Sequence, residues 1–228
     1  LNYWNFEGDF RDSAAFLAGN ASTAEDHGTP ANADLVTIQE GGLMGKFANF
    51  DRSYIIVPDT EDITAGGESL SISAWFRVGT FDTTWQALIA HGEGSDYRIA
   101  RNGDQTTLAY AGGTGDIVGG PAVNDGEWHH VVAITESGVS TSLWVDGQFV
   151  TSGGAPTIVN SGLGNLFIGE NPGATGRRWV GDMDDIAFWN RPLTDTEIET
   201  IYSSGVAGTP ISGLIANTNP ARPKIPKN

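Results

Sequence analysis

The chain has 228 residues, with 28 Asp plus Glu against 12 Lys plus Arg and a formal net charge of -16. Charge of that sign repels phosphate backbones and argues against a nucleic-acid partner, while seven Trp and ten Phe with only 18% charged residues argue against disorder. There is no Cys, hence no disulfide or thiol chemistry, and no apolar run long enough for membrane insertion.

The chain opens on "LNYWNFEGDF", with neither a basic segment nor an apolar stretch, so any signal peptide is expected to be removed or never present. Short runs with strand character follow: "DLVTI", "YIIVP", then "SLSISAWFRV". The last of these puts Leu70, Ile72, Ala74, Phe76 and Val78 on one face and Ser71, Ser73, Trp75 and Arg77 on the other. "QALIAH", "YRIAR", "TTLAY" and "WHHVVAIT" come next. "SLWVDGQFV" reads as a hairpin, because Asp146-Gly147 suits a two-residue type I′ turn. "LGNLFIG" and "RWVGDMDDIAFW" complete the set. Spacings near a dozen residues, punctuated by Gly and without intervening helices, predict an all-β, two-sheet antiparallel sandwich.

The final strand carries three aspartates. Simple alternation turns Met183 and Asp185 one way and Asp182, Asp184 and Ile186 the other. A carboxylate facing inward beside Ile186 is costly unless a cation or hydrogen bonds meet it. One helix follows over "TDTEIETIYSSG". Thr194 and Glu197 form a capping box, Ile198, Ile201 and Tyr202 an apolar stripe, and Gly205 the expected stop. Residues 1–208 are expected to form the domain and residues 209–228 a Pro-rich tail or linker to a neighbouring module.

In order, these segments resemble the laminin-G-like, concanavalin A-like jelly-roll family in its bacterial form. The carrying motifs are "YWNFEGDFRDSA", "GKFANFDRSYIIVPD", "SISAWFRV", "GEWHHVVAIT", "LWVDGQFV", "LFIG" and "GDMDDIAFWNRPLTDTEI", from about Leu1 to Tyr202. Arg52, after Asp51, stands where relatives carry Gly. The resemblance implies a jelly roll with one short C-terminal helix. It also implies a structural Ca²⁺ where the first and last strands meet, carried onto Glu7, Asp12 and Asp184, and a secreted or cell-surface setting. Ca²⁺ takes six to eight oxygens, several from carboxylates; the competing reading is that Asp184 accepts backbone N–H bonds from a neighbouring loop.

Catalytic members of the superfamily use an "E-x-D-x-x-E" strand, or an "R-x-E-x-R" strand with "Q-x-H"; neither occurs here. His129 and His130 are adjacent on a strand, point to opposite faces and are expected to be structural. The remaining function is binding. Sugar rings offer an apolar face to Trp and Tyr. Six of the tryptophans fall at family positions, whereas Trp85 sits in the loop-like "GTFDTTWQALIAHGEGSDY", with Tyr97, Arg98 and Arg101 close in sequence. Arg177 and Arg178 add a fork that suits anionic glycan groups, though local salt-bridging on the surface is the favoured reading of the pair. Asn20-Ala21-Ser22 fits a chance glycosylation sequon. The expected function is recognition of a polysaccharide or glycoprotein glycan by a non-catalytic module, with no nucleic-acid partner and no membrane insertion. Its alternatives are a protein adhesion or spacer module and an enzyme of unfamiliar type.

Overall fold

The computed structural model describes residues 2–14, 27–58, 68–154, 156–158 and 164–212. The strands, in chain order, are β1 (Asn2–Trp4), β2 (Thr29–Pro30), β3 (Val36–Glu40), β4 (Lys46–Ser53), β5 (Ile55–Val57), β6 (Leu70–Arg77), β7 (Ala87–Ala90), β8 (Tyr97–Arg101) and β9 (Leu108–Gly112). There follow β10 (Ile117–Gly119), β11 (Trp128–Glu136), β12 (Ser140–Val145), β13 (Gln148–Gly153), β14 (Leu166–Ile168) and β15 (Trp179–Trp189), then the helix α1 (Asp195–Val206). One sheet has eight strands, in the order β13-β12-β11-β6-β15-β4-β3, with β1 also pairing β15; the other has seven, β10-β9-β8-β7-β14-β5-β2. All of the pairings are antiparallel, which makes the chain an all-β jelly-roll sandwich.

The alternation in β6 sets the layers. Ile72, Ala74 and Phe76 enter the core between the sheets, against Ile89, Tyr97, Tyr110 and Ile168. The outward set is also covered, because α1 lies on the outer face of the eight-stranded sheet. Ile198 and Ile201 there join Tyr3, Val132, Ala187 and Ile211 in a second apolar cluster. Trp75 stacks on Tyr202 at 5.7 Å and 9°. Asp146 and Gly147 both have positive φ, 51° and 71°, as a type I′ turn requires.

Three expectations are corrected. The helix runs through Gly205 to Val206, and the left-handed residue after it is Gly208, with φ 72°. Gly205 instead lets α1 approach Trp75: a Cβ there would overlap the indole. The fold continues past residue 208, since Ile211 is fully buried and its N–H donates to Asp185 Oδ2 at 3.1 Å; residues 213–228 and the sequon lie outside the described residues. The simple alternation along β15 fails at Asp185, where φ is 45° and the register with β6 shifts between Asp184 and Ala187. This bulge resets the parity, so that Met183, Ile186 and Phe188 all reach the inner core. Asp184, opposite Trp75, therefore lies on the helix-covered face and not beside Ile186.

Candidate functional site

Two places bring chemically capable side chains together. The first is the outer face of the seven-stranded sheet. Register sets Ile56 (β5), Phe167 (β14), Ala90 (β7), Arg98 (β8) and Ala111 (β9) in one row. Their chain neighbours Ile55, Ile168, Ile89, Tyr97 and Tyr110 fill the core, so the row faces outward. Arg98 is its centre. Its guanidinium donates to Glu93 and to Asp116 and lies 4.9 Å from the centre of the Trp85 ring. The second oxygen of Glu93 accepts from Arg177 Nη1 at 2.8 Å and Asn171 Nδ2 at 2.7 Å. At the other end of the row Tyr54 stacks on Phe167 at 4.8 Å, with the Arg178 guanidinium 5.7 Å from the Tyr54 ring.

Trp85 is half-buried and has a φ of 58°. A bulky aromatic residue in the left-handed region costs about 1–3 kcal/mol and persists only where its surroundings hold it. Its N–H donates to Gly103 O at 3.0 Å. Arg101 fastens the same turn, donating to the carbonyls of Thr83, Asp104 and Gln105.

Of the expected ligand-binding residues, Trp85, Arg98 and Arg177 meet in one network, and Arg178 stands at the far end of the row. Arg101 supports the loop rather than the row. Tyr97 is corrected: one position from Arg98 on the same strand, it takes the opposite parity, is fully buried and stacks on His91. Arg177 and Arg178 do not form a common fork, because they turn to different carboxylates, Glu93 and Glu170. Glu93, Asn171 and the Tyr54–Phe167 stack escaped sequence reasoning: Glu93 lies only eight residues after Trp85 but carries no signal of its own, and Asn171, Tyr54 and Phe167 lie far away in the chain.

The second place is where the chain's beginning meets β15. Tyr3 donates its hydroxyl proton to Asp185. Asp185 N–H bonds Asp184 Oδ1 at 2.9 Å, and Asp184 Oδ2 is buried with no hydrogen-bond partner. Burial pushes the Asp184 carboxyl well up, to about 9, helped by the negative charges of Asp185 and Glu7. Burial likewise raises Asp185, to about 6, against the bonds from Tyr3 and Ile211. Glu7 reaches this corner from the segment after β1, accepting from Lys46 N–H at 3.0 Å. Its carboxylate occupies the space that a Cβ on Gly45 would take.

An orphaned buried oxygen among like charges suits a hard cation. Glu7 and Asp184 fit that demand, with Asp185 beside them. Asp12, the third expected ligand, is engaged elsewhere: its oxygens accept from Tyr3 N–H at 2.8 Å, Ala14 N–H at 2.9 Å and Asn2 Nδ2 at 3.1 Å. Among the described residues no three His, Cys, Asp or Glu side chains converge closely enough to hold an ion by themselves, so backbone oxygens would have to complete the shell. The third aspartate, Asp182, is satisfied by Arg77 at 2.7 Å and Asn49 at 2.6 Å. No described helix is long and apolar enough to cross a membrane.

Known proteins share this architecture. The basement membrane-specific heparan sulfate proteoglycan core protein of Mus musculus is 28% identical over 194 residues, 82% of this chain and 4% of that protein. The chain thus spans a small fraction of the curated relatives it matches. Domain 4 of AbnA, a GH43 extracellular arabinanase from Geobacillus stearothermophilus solved in complex with arabinotriose, superposes with a TM-score of 0.67 at 18% identity, covering 88% of this chain and 97% of that one. The binding domain of Paraclostridial Mosquitocidal Protein 1 superposes with a TM-score of 0.63 at 17% identity, covering 78% and 48%. The family model described as the concanavalin A-like lectin/glucanases superfamily matches residues 49–199, and with its two antiparallel sheets the chain belongs to that superfamily.

Proposed function

We propose that this domain is a non-catalytic glycan-recognition module of a larger secreted or surface-attached protein, and that it binds polysaccharide on the outer face of its seven-stranded sheet. The observation that carries the reading is Trp85, held in a strained backbone conformation over a guanidinium that two carboxylates neutralise. Backbone strain concentrates where a side chain must be presented in a fixed pose. An aromatic surface beside convergent hydrogen-bonding groups is what a sugar ring requires, and beside Trp85 the partly exposed Glu93 and Arg177 supply them, with the buried Asn171 holding Glu93 in place. The arabinotriose complex of a domain with the same fold supports the reading, as does the matrix setting named for the proteoglycan relative.

The ligand is a neutral glycan, since each arginine on this face already meets a carboxylate of the chain. Asp184 and Asp185 are the acids with raised pKa, yet each is only 1% exposed, so a polysaccharide cannot reach them as it would a glycosidase pair. They serve instead, with Glu7, to hold a structural Ca²⁺.

Affinity electrophoresis in gels containing neutral polysaccharides (arabinan, xylan, β-glucan) tests this reading. Retention is expected on at least one, with Trp85→Ala weakening it about tenfold, or about 1.4 kcal/mol. Retention on none, or full retention by the variant, assigns the face to protein adhesion or to a spacer role. Release of sugar from any of these polymers would overturn the non-catalytic reading.

A further inference from the structure

On the opposite side of the molecule, the outer face of the eight-stranded sheet is only partly covered by α1. Beyond the helix, strands β11, β12 and β13 and the chain entering α1 enclose a groove of about 400 Å³. That volume lies within the range of about 300–1,000 Å³ typical of small-molecule sites. Its floor follows from register. Ile134, Ser142 and Ser152 make one row across the three strands, and Trp144 with Phe149 makes the next. Glu136 stands at one end and Asp195, in the first turn of α1, on the far wall.

The chemistry of this groove is mixed in a specific way. Trp144 and Phe149 meet edge to face at 5.4 Å and 76°, and Phe149 remains 54% exposed on the edge strand. An aromatic side chain left open on a sheet edge invites association and is normally avoided. Among the described residues, the hydroxyls of Ser142 and Ser152 and the Trp144 indole N–H make no hydrogen bond, and Glu136 and Asp195 are in no ion pair. The groove therefore offers an aromatic corner, unused donors and two acceptor carboxylates, with no cation in its lining.

We infer that this groove is a second carbohydrate site, independent of the Trp85 face, that takes a short neutral oligosaccharide. The apolar face of a sugar ring packs into the Trp144–Phe149 corner, and its hydroxyls exchange hydrogen bonds with the serines, Glu136 and Asp195. Uronates and sulfated sugars are refused, because their charge would meet two carboxylates without a counterion, on a chain of net charge -16.

The experiment follows the Trp144 indole N–H resonance of the full chain, assigned with Trp144→Phe, during titration with arabinotriose, xylotriose, cellotriose, mannotriose and trigalacturonate. Saturable movement is expected with at least one neutral trisaccharide and not with trigalacturonate. Phe149→Ala, at an exposed position that leaves folding intact, should weaken that binding at least fivefold; Trp85→Ala should leave it unchanged. No saturable movement with any neutral trisaccharide, an undiminished response in Phe149→Ala, or equal binding of trigalacturonate overturns the inference. Loss of the response in Trp85→Ala alone also overturns it, while leaving the Trp85 face in place as the glycan site. Conversely, if polysaccharide retention survives Trp85→Ala but not Phe149→Ala, it is the Trp85 face that fails.

Discussion

His130 is a case in which burial decides the protonation state of one side chain. It lies opposite Trp75 on the helix-covered face, fully buried, with Nε2 2.8 Å from Ser73 Oγ and its ring against both Trp75 and Tyr202. Burial pulls its pKa down to about 3, against a weaker pull upward from Asp146. His129 faces the other way and moves in the opposite direction, raised by its hydrogen bond to Asp146. The pair cannot share an ion, as strand parity requires. A histidine whose folded pKa is depressed contributes stability that is present above its unfolded value, near 6.5, and lost as pH falls toward 3. The raised His129 acts above that window, where its contribution fades as pH rises. Melting temperature should therefore decline from pH 6.5 to 4.5 more steeply in the wild type than in His130→Gln. The difference in slope corresponds to at most about 1.4 kcal/mol per pH unit. Parallel slopes would mean that His130 titrates normally in the fold.

Helix α1 shows how a secondary element is held by a single close approach. Its start follows local rules, with Thr194 and Glu197 forming the expected capping box and Arg191 bonding Glu197 at 2.9 Å. Its seating depends on Gly205, where a Cβ would overlap the Trp75 ring. In an exposed helix, Gly→Ala gains up to about 1 kcal/mol from propensity. Here Gly205→Ala should instead destabilise by about 1–3 kcal/mol through overpacking, measured by urea unfolding; a stabilised variant would show that the helix can slide on the sheet. From sequence, Gly205 was legible only as a stop signal, because its true partner is 130 residues away by chain number. The same limit separates what could be read from what could not. Strands with strict alternation, such as β6, and the Asp146-Gly147 turn express local rules and are plain in the sequence. Arg52 stands in for a family glycine and does adopt a left-handed φ of 50°. The bulge at Asp185 carries no signature of its own, and it inverted the parity argument for the acids. Trp85 was legible as the tryptophan outside the family pattern. Glu93 and Asn171 were not, nor was the Trp144 groove, since "TSLWVDGQF" reads as ordinary strand alternation until the helix is placed beside it.

At the scale of the whole molecule, the two ends of the fold close on each other, and the acids at that closure are the ones proposed to hold Ca²⁺. β1 pairs β15 through Tyr3 and Ala187, Ile211 returns to Asp185, and Glu7 bonds the start of β4. Without a cation this corner holds like charges in a low-dielectric pocket, and the chain answers by raising both aspartate pKa values. For such carboxylates the stabilising contribution is full below the unfolded value near 4 and is lost as pH rises through about 6 and about 9. At pH 8, therefore, the metal-free domain carries a destabilising charge that Ca²⁺ would neutralise. An ion that binds only the native state adds about 2.7 kcal/mol at a hundred times its Kd. At about 2–4 °C per kcal/mol for a chain of this size, the melting temperature should rise by roughly 5–10 °C with Ca²⁺ and fall back with chelator. The rise should shrink at pH 5, where protons compete for both raised carboxylates. Asp184→Asn removes the carboxyl whose raised pKa costs stability at this pH while keeping its shape; in chelator it should melt above the wild type, and added Ca²⁺ should not shift it. Asp12→Asn should lose stability with and without the ion yet keep the full Ca²⁺ response, because Asp12 holds β1 through backbone bonds. A wild-type domain indifferent to Ca²⁺, or an Asp184→Asn variant that still responds, would leave hydrogen bonding alone to close the two ends.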